Sequence, residues 1–188
     1  MTISQLDEDH AGTGRGLGFL MNLGEFRFKL WLDSNTKRVL SEIGVCEGMQ
    51  VLDYGCGSGR YTVPAAKLTG VNGTVYAQDI DKSALQRLRK AAESEGLRNI
   101  TPIYWDGGPE IPLDDCFLDC VLLIDVIQEV PDWGRLLEDA LRVLKHGGIL
   151  VIYPMHVDVA EVVEAASLSG FRYRGKAVKK RFLLFTKA

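Results

Sequence analysis

One stretch of this 188-residue chain has the composition of a ligand-binding turn: VLDYGCGSGR, residues 51–60. A short apolar run ends there in Gly55, Gly57 and Gly59, separated by Cys56 and Ser58. Glycines at that spacing permit a tight turn and let a ligand reach the backbone with no Cβ in the way. If a helix follows, its first N–H groups are free to face whatever is bound. Asp53 stands just before the glycines and Asp79 about one strand-and-helix unit later. A carboxylate at the end of the second strand can accept hydrogen bonds from two neighbouring hydroxyls.

The spacing is G-x-G-x-G, whereas a dinucleotide fingerprint reads G-x-G-x-x-G, and Arg60 occupies the position of its last glycine. Asp53 would repel a pyrophosphate and attract a ligand bearing an amino group. A nicotinamide-dinucleotide oxidoreductase is therefore disfavoured. Gly170–Ala177 (GFRYRGKA) nearly fits a phosphate-binding loop. Ala177 lacks the hydroxyl such a loop gives to magnesium, and Phe171 and Tyr173 read as strand. Cys46, Cys56, Cys116 and Cys120 have no C-x₂-C pairing, so no metal site is expected, and reduced thiols in the cytoplasm are the simplest account. Thiol-assisted chemistry using Cys46, Cys116 and Cys120 is disfavoured, since no basic neighbour would lower their pKa values.

The elements that must carry these residues alternate. Strands are predicted at 49–54, 74–79, 99–105, 118–125, 148–154, 171–178 and 181–186. Helices are predicted at 34–43, 58–68, 83–95, 133–144 and 158–169. Strict alternation implies right-handed crossovers: a Rossmann-like, doubly wound α/β sheet, mostly parallel, with an antiparallel C-terminal strand hairpin through Lys179 and Lys180. Residues 34–188 form one such domain. Residues 1–33, with Gly12, Gly14, Gly16, Gly18 and Gly24, read as a mobile N-terminal arm, with at most a short helix about Phe19–Leu23 and the capacity to act as a lid.

Composition sets outer bounds. A 46% hydrophobic and 25% charged chain is ordinary globular protein. It has no run of about 18 apolar residues that would span a membrane, and its acidic first ten residues do not read as a secretory signal. Charge is uneven: residues 171–188 hold seven of the 22 Lys and Arg and none of the 25 Asp and Glu. A basic tail suits RNA or another polyanion, but alternation with apolar residues continues through the segment, which favours outward positions near a sheet edge, where Lys and Arg discourage strand pairing.

Five segments together resemble the class I S-adenosylmethionine-dependent methyltransferases, and within them the ubiquinone/menaquinone-biosynthesis group. They are VLDYGCGSG (51–59), VYAQDID (75–81), WDG (105–107), FLDCVLLIDVIQEVPD (117–132) and LRVLKHGGIL (141–150). The resemblance implies S-adenosylmethionine as cofactor, with the Gly55–Cys56–Gly57–Gly59 loop under its methionine part and Asp53 near the ammonium group. It implies Asp79 on the ribose hydroxyls, Ile80 beside the adenine, Asp106 on the adenine amino group with Gly107 next to it, and Ile124 and Asp125 lining the donor pocket. A small-molecule methyl acceptor is expected. A methyltransferase acting on RNA or protein through the basic tail, and a non-catalytic cofactor-binding subunit, stand as alternatives. The fourth segment lacks N-P-P-Y, which disfavours methylation of adenine, cytosine or glutamine nitrogen by that arrangement. It also has Gln128 and Glu129 where members of the group often carry histidines. No catalytic residue is assigned: His156, past the fifth strand, is a candidate base, although an exposed loop histidine explains it as well. Phe26, Phe28, Trp31, Tyr61 and Trp105 could form aromatic walls, or simply pack.

Overall fold

In a computed structural model, which describes residues 11–105 and 108–187, the chain forms two compact units, one ending at Asn35 and the other beginning at Thr36. Helix α1, Ala11–Glu42, carries residues of both and is interrupted at Asn35, whose φ of −127° and ψ of 15° are not helical. The expected short helix about Phe19–Leu23, and the expected helix over 34–43, are replaced by helix from Ala11 onward. Glycine costs about 1 kcal/mol per helical position, but Phe28 and Leu32, one turn apart, are both buried. Phe28 also stacks on Trp31 with ring centroids 5.6 Å apart. The Asn35 side chain donates to the Trp31 carbonyl at 2.7 Å, a back-bond that competes with helix geometry where the break falls.

The second unit is a seven-stranded sheet. Its strands are β1 (Gln50–Tyr54), β2 (Thr74–Asp79), β3 (Ile100–Tyr104), β4 (Leu118–Ile124), β5 (Leu144–Tyr153), β6 (Phe171–Ala177) and β7 (Phe182–Lys187). Its helices are α2 (Thr62–Thr69), α3 (Lys82–Ser94), α4 (Trp133–Val143) and α5 (Val159–Leu168). Strand order is β3-β2-β1-β4-β5-β7-β6, and β7 alone runs antiparallel to its neighbours β5 and β6. The expected fold class is therefore the observed one.

Period-two alternation divides the sheet's faces. Leu52, Val121, Leu123 and Ile152 pack with Leu136, Leu137 and Ala140 of α4 and Val162 of α5. On the other face Ala77 packs with Leu85 and Leu88 of α3 and with Cys56. Three aspartates cap helices in the second unit: Asp81 accepts from Ser83 N, Asp132 from Arg135 N, and Asp158 from Ala160 N and Glu161 N.

Two boundaries depart from expectation. Helix α2 starts at Thr62 rather than Ser58, because Gly57 (φ +53°) and Gly59 (φ +95°) are left-handed and no helix can run through them. Strand β5 begins at Leu144, which pairs with Leu118, rather than at Gly148; a bulge then shifts the register so that Cys120 meets Ile149. The hairpin between β6 and β7 turns through three consecutive left-handed residues, Val178, Lys179 and Lys180. Strand β6 is a sheet edge with Arg172, Tyr173, Arg174 and Lys176 exposed.

Candidate functional site

Sheet order reverses direction between β1 and β4, and ligands in open α/β sheets bind beyond the C-terminal ends of strands at that switch. A cavity of about 520 Å³ lies there, and its wall includes Gly55, Gly57, Asp79, Ile80 and Asp125. Five residues singled out from sequence are thus brought to one place.

The glycine turn is fastened to β2. Gly55 N and Cys56 N both donate to the Gln78 carbonyl, at 2.9 and 3.0 Å, and Gly57 N donates to Asp79 Oδ2 at 2.7 Å. Asp79 Oδ1 accepts from Asp81 N at 2.8 Å, so each carboxylate oxygen holds one backbone N–H. The glycines differ in what a side chain would meet. A Cβ on Gly55 would lie 2.4 Å from Val126 Cγ2, and one on Gly59 would lie 2.4 Å from Leu88 Cδ1. A Cβ on Gly57 would meet no protein atom within 4 Å and would project into open space at the cavity wall.

Asp53 lies behind this wall, 1% exposed. Its Oδ2 accepts from the Thr62 hydroxyl at 2.6 Å. Burial, opposed by the Thr62 hydrogen bond and reinforced by the charge of Asp79, pushes its carboxyl up from 3.8 to about 6. Cys56, also buried, has its thiol pushed up chiefly by burial, next by the charges of Asp53 and Asp79. That thiol is inert at neutral pH. Ile124 is buried at the end of β4, and Gly59 packs against Leu88 rather than lining the cavity. Asp106 and Gly107 lie outside the described residues.

Asp125, next after β4, is left-handed (φ +61°), and Gln128 Nε2 donates to its Oδ1 at 3.2 Å. A non-glycine residue held there is strained, as residues at binding sites often are. His156 is exposed and is not part of the cavity wall; Tyr61 is buried and is not part of it either, Trp105 is, and Phe26, Phe28 and Trp31 belong to the first unit.

Tyr54, Gln78, Val126 and Pro131 also line the cavity and were not singled out from sequence. Gln78 left a signal: an amide that follows the apolar run VYA within the strand TVYAQD. It is 3% exposed, its Nε2 donates to the Glu110 carbonyl at 3.0 Å, and its Oε1 has no partner among the described residues. Tyr54 and Val126 face the cavity because of where the chain turns, which the sequence pattern does not encode. The loop from β3 to β4 contributes Gly108 and Pro109 to the wall. Arg142 of α4 secures it, donating to the carbonyls of Ile111 and Leu113 at 2.8 and 2.9 Å and to the carboxylates of Asp115 and Asp139.

Residues 46–178 match the family model described as a methyltransferase domain. Demethylmenaquinone methyltransferase of Staphylococcus aureus (strain MRSA252) is 32% identical over 123 residues, which cover 65% of this chain and 48% of that one. The chain spans about half the length of the curated relatives it matches. Among solved structures, a SAM dependent methyltransferase from Aquifex aeolicus superposes with a TM-score of 0.71 at 25% identity, covering 82% of this chain and 90% of that one. A second, from Mesorhizobium loti, shares the fold with a TM-score of 0.65 at 18% identity, covering 79% and 94%.

Proposed function

The chain belongs to the methyltransferase-domain family, and from that premise we propose that it moves a methyl group from S-adenosylmethionine to a small-molecule acceptor. The observation carrying this reading is the pairing of an open glycine, Gly57, with the carboxylate of Asp79 that holds its N–H, both on one cavity wall. A nucleoside's sugar and the adjoining thioether chain suit that pair: the open glycine allows close approach, and an oriented carboxylate accepts from hydroxyls.

In this reading the turn Gly55–Gly59, with Cys56 inside it, supports the methionine part, and Asp53 acts through the field of its buried carboxylate on the ammonium group. Asp79 accepts from the ribose, Ile80 and Trp105 flank the base, and Asp106 with Gly107 meets its amino edge. Ile124 and Asp125 close the pocket from β4. When bound, the donor supplies an electrophilic sulfonium methyl. The protein's task is then to hold the acceptor in line and exclude water. Four free cysteines, two of them exposed, fit the reducing cytoplasm.

Calorimetry with S-adenosylmethionine and NAD in parallel tests the reading, followed by a screen of labelled methyl transfer against small-metabolite and RNA pools. Binding of the sulfonium compound and not the dinucleotide is expected. The reverse overturns it.

A further inference from the structure

The charges of the cavity wall are all of one sign. Asp79, Asp125, Glu129 and Asp132 line it, and no Lys, Arg or His does so among the described residues. The nearby Arg135 is engaged elsewhere, its guanidinium 3.1 Å from Glu110 Oε1.

These carboxylates are not equivalent. Asp79 holds Gly57 N and Asp81 N, Asp125 accepts from Gln128, and Asp132 caps α4 through Arg135 N. Glu129, at the end of the 3₁₀ turn Ile127–Glu129, makes no side-chain hydrogen bond or ion pair among the described residues. It is exposed. A second acceptor unmet among the described residues belongs to the same wall, the Oε1 of the buried Gln78. Trp105 Nε1, a wall donor unmet among the described residues, stands one position past the β3 end, on the side given above to the base.

Resting on the donor reading above, we propose that the methyl acceptor is an organic amine, and that Glu129 pairs with its ammonium form and receives its proton. A wall of carboxylates raises the local concentration of cations and penalises carboxylates, phosphates and nucleic acids. Tyr54, in the same wall, supplies an aromatic ring for cation–π attraction to an ammonium group. A protonated amine has no lone pair for attack, so a base must take its proton. The nitrogen then forms the new N–C bond, the C–S bond of the donor breaks with its electron pair on sulfur, and the proton passes from nitrogen to Glu129 and on to water.

The test is calorimetric and needs no turnover. The protein is saturated with S-adenosylhomocysteine, then titrated with benzylamine, benzyl alcohol, benzoate and phenyl phosphate, four probes of similar size. Benzylamine is expected to bind in preference to the other three. Glu129→Gln should weaken it roughly 10- to 100-fold, the scale of a lost hydrogen bond to a charged group. Glu129→Asp should recover part of that loss, and neither variant should change the S-adenosylhomocysteine affinity. Absence of benzylamine binding, equal or tighter binding of any other probe, or indifference to Glu129→Gln overturns the amine assignment and leaves the donor reading intact. Failure of S-adenosylhomocysteine to bind overturns both.

Discussion

The Thr62 hydroxyl, in the first turn of α2, donates at 2.6 Å to the carboxylate of Asp53 on β1, and both residues are shut off from water. A buried carboxylate with one strong donor is only partly compensated for its lost hydration. Its raised pKa records the deficit. A cation bound on the far side of the glycine turn would lower it again, which couples this pair to the site.

That coupling has a pH signature in the ligand-free protein. Between pH 3.8 and about 6 the folded state holds the Asp53 proton while the unfolded chain has released it. Stability therefore falls as pH rises through the window, by roughly 3 kcal/mol if the full shift is realised. Asp53→Asn removes this contribution. Urea denaturation from pH 4 to 7.5 should show the variant gaining on the parent as pH rises, with a constant difference above pH 7.

Thr62→Val tests the other partner. The side chain keeps its shape but no longer donates, leaving a buried carboxylate short of a hydrogen bond. A loss of about 1–3 kcal/mol is expected near neutral pH, shrinking toward pH 4 as Asp53 takes up a proton. Chemical denaturation at both pH values measures it.

The glycines should separate folding from binding. Gly59→Ala meets Leu88 at 2.4 Å with φ at +95°, so strain and overpacking together should cost about 2–4 kcal/mol of stability. Gly57→Ala meets nothing and should cost only about 1 kcal/mol, yet its methyl group stands where the ligand would approach. Thermal unfolding and S-adenosylmethionine calorimetry on both variants should therefore rank them in opposite orders.

Asp79→Ala removes the acceptor for Gly57 N and Asp81 N as well as the proposed ribose contact. Donor affinity should drop by about 1–3 kcal/mol. An unchanged affinity by calorimetry would remove Asp79 from the site.

Arg142→Met should loosen the loop from β3 to β4, since four protein acceptors lose their donor. About 1–3 kcal/mol of stability should be lost, the Leu113 carbonyl losing its Arg142 donor while the Ile111 carbonyl keeps the Leu113 N–H. Hydrogen exchange should quicken at Leu113, whose N–H bonds to the Ile111 carbonyl within that loop.

The alternating pattern made the sheet legible, because the central strands β1, β4 and β5 carry compact apolar runs and each of α2–α5 opens on an aspartate or follows a glycine turn. Asp79 and Ile80 could be placed because a strand end and the residue after it have a defined position in any such sheet. The Asp53–Thr62 bond could not. It depends on residues 55–61 forming a turn rather than the first turns of a helix, and left-handed glycines were needed to see that. Gln78 and Val126 face the cavity for reasons of tertiary placement: one turns toward the Glu110 carbonyl, and the other fills the space that Gly55 leaves empty. Helix α1 was hidden by its glycines, whose low propensity outweighs a two-residue apolar stripe in any local reading.

The position of β7 bears on how the protein is made. It lies between β5 and β6, yet it follows both in the chain. A nascent polypeptide emerging from the ribosome would therefore expose the edge of β5 and leave β6 unpartnered until residues 182–187 are translated. Chaperone engagement, or arrest of synthesis just before Phe182, should trap a species with an open, apolar edge.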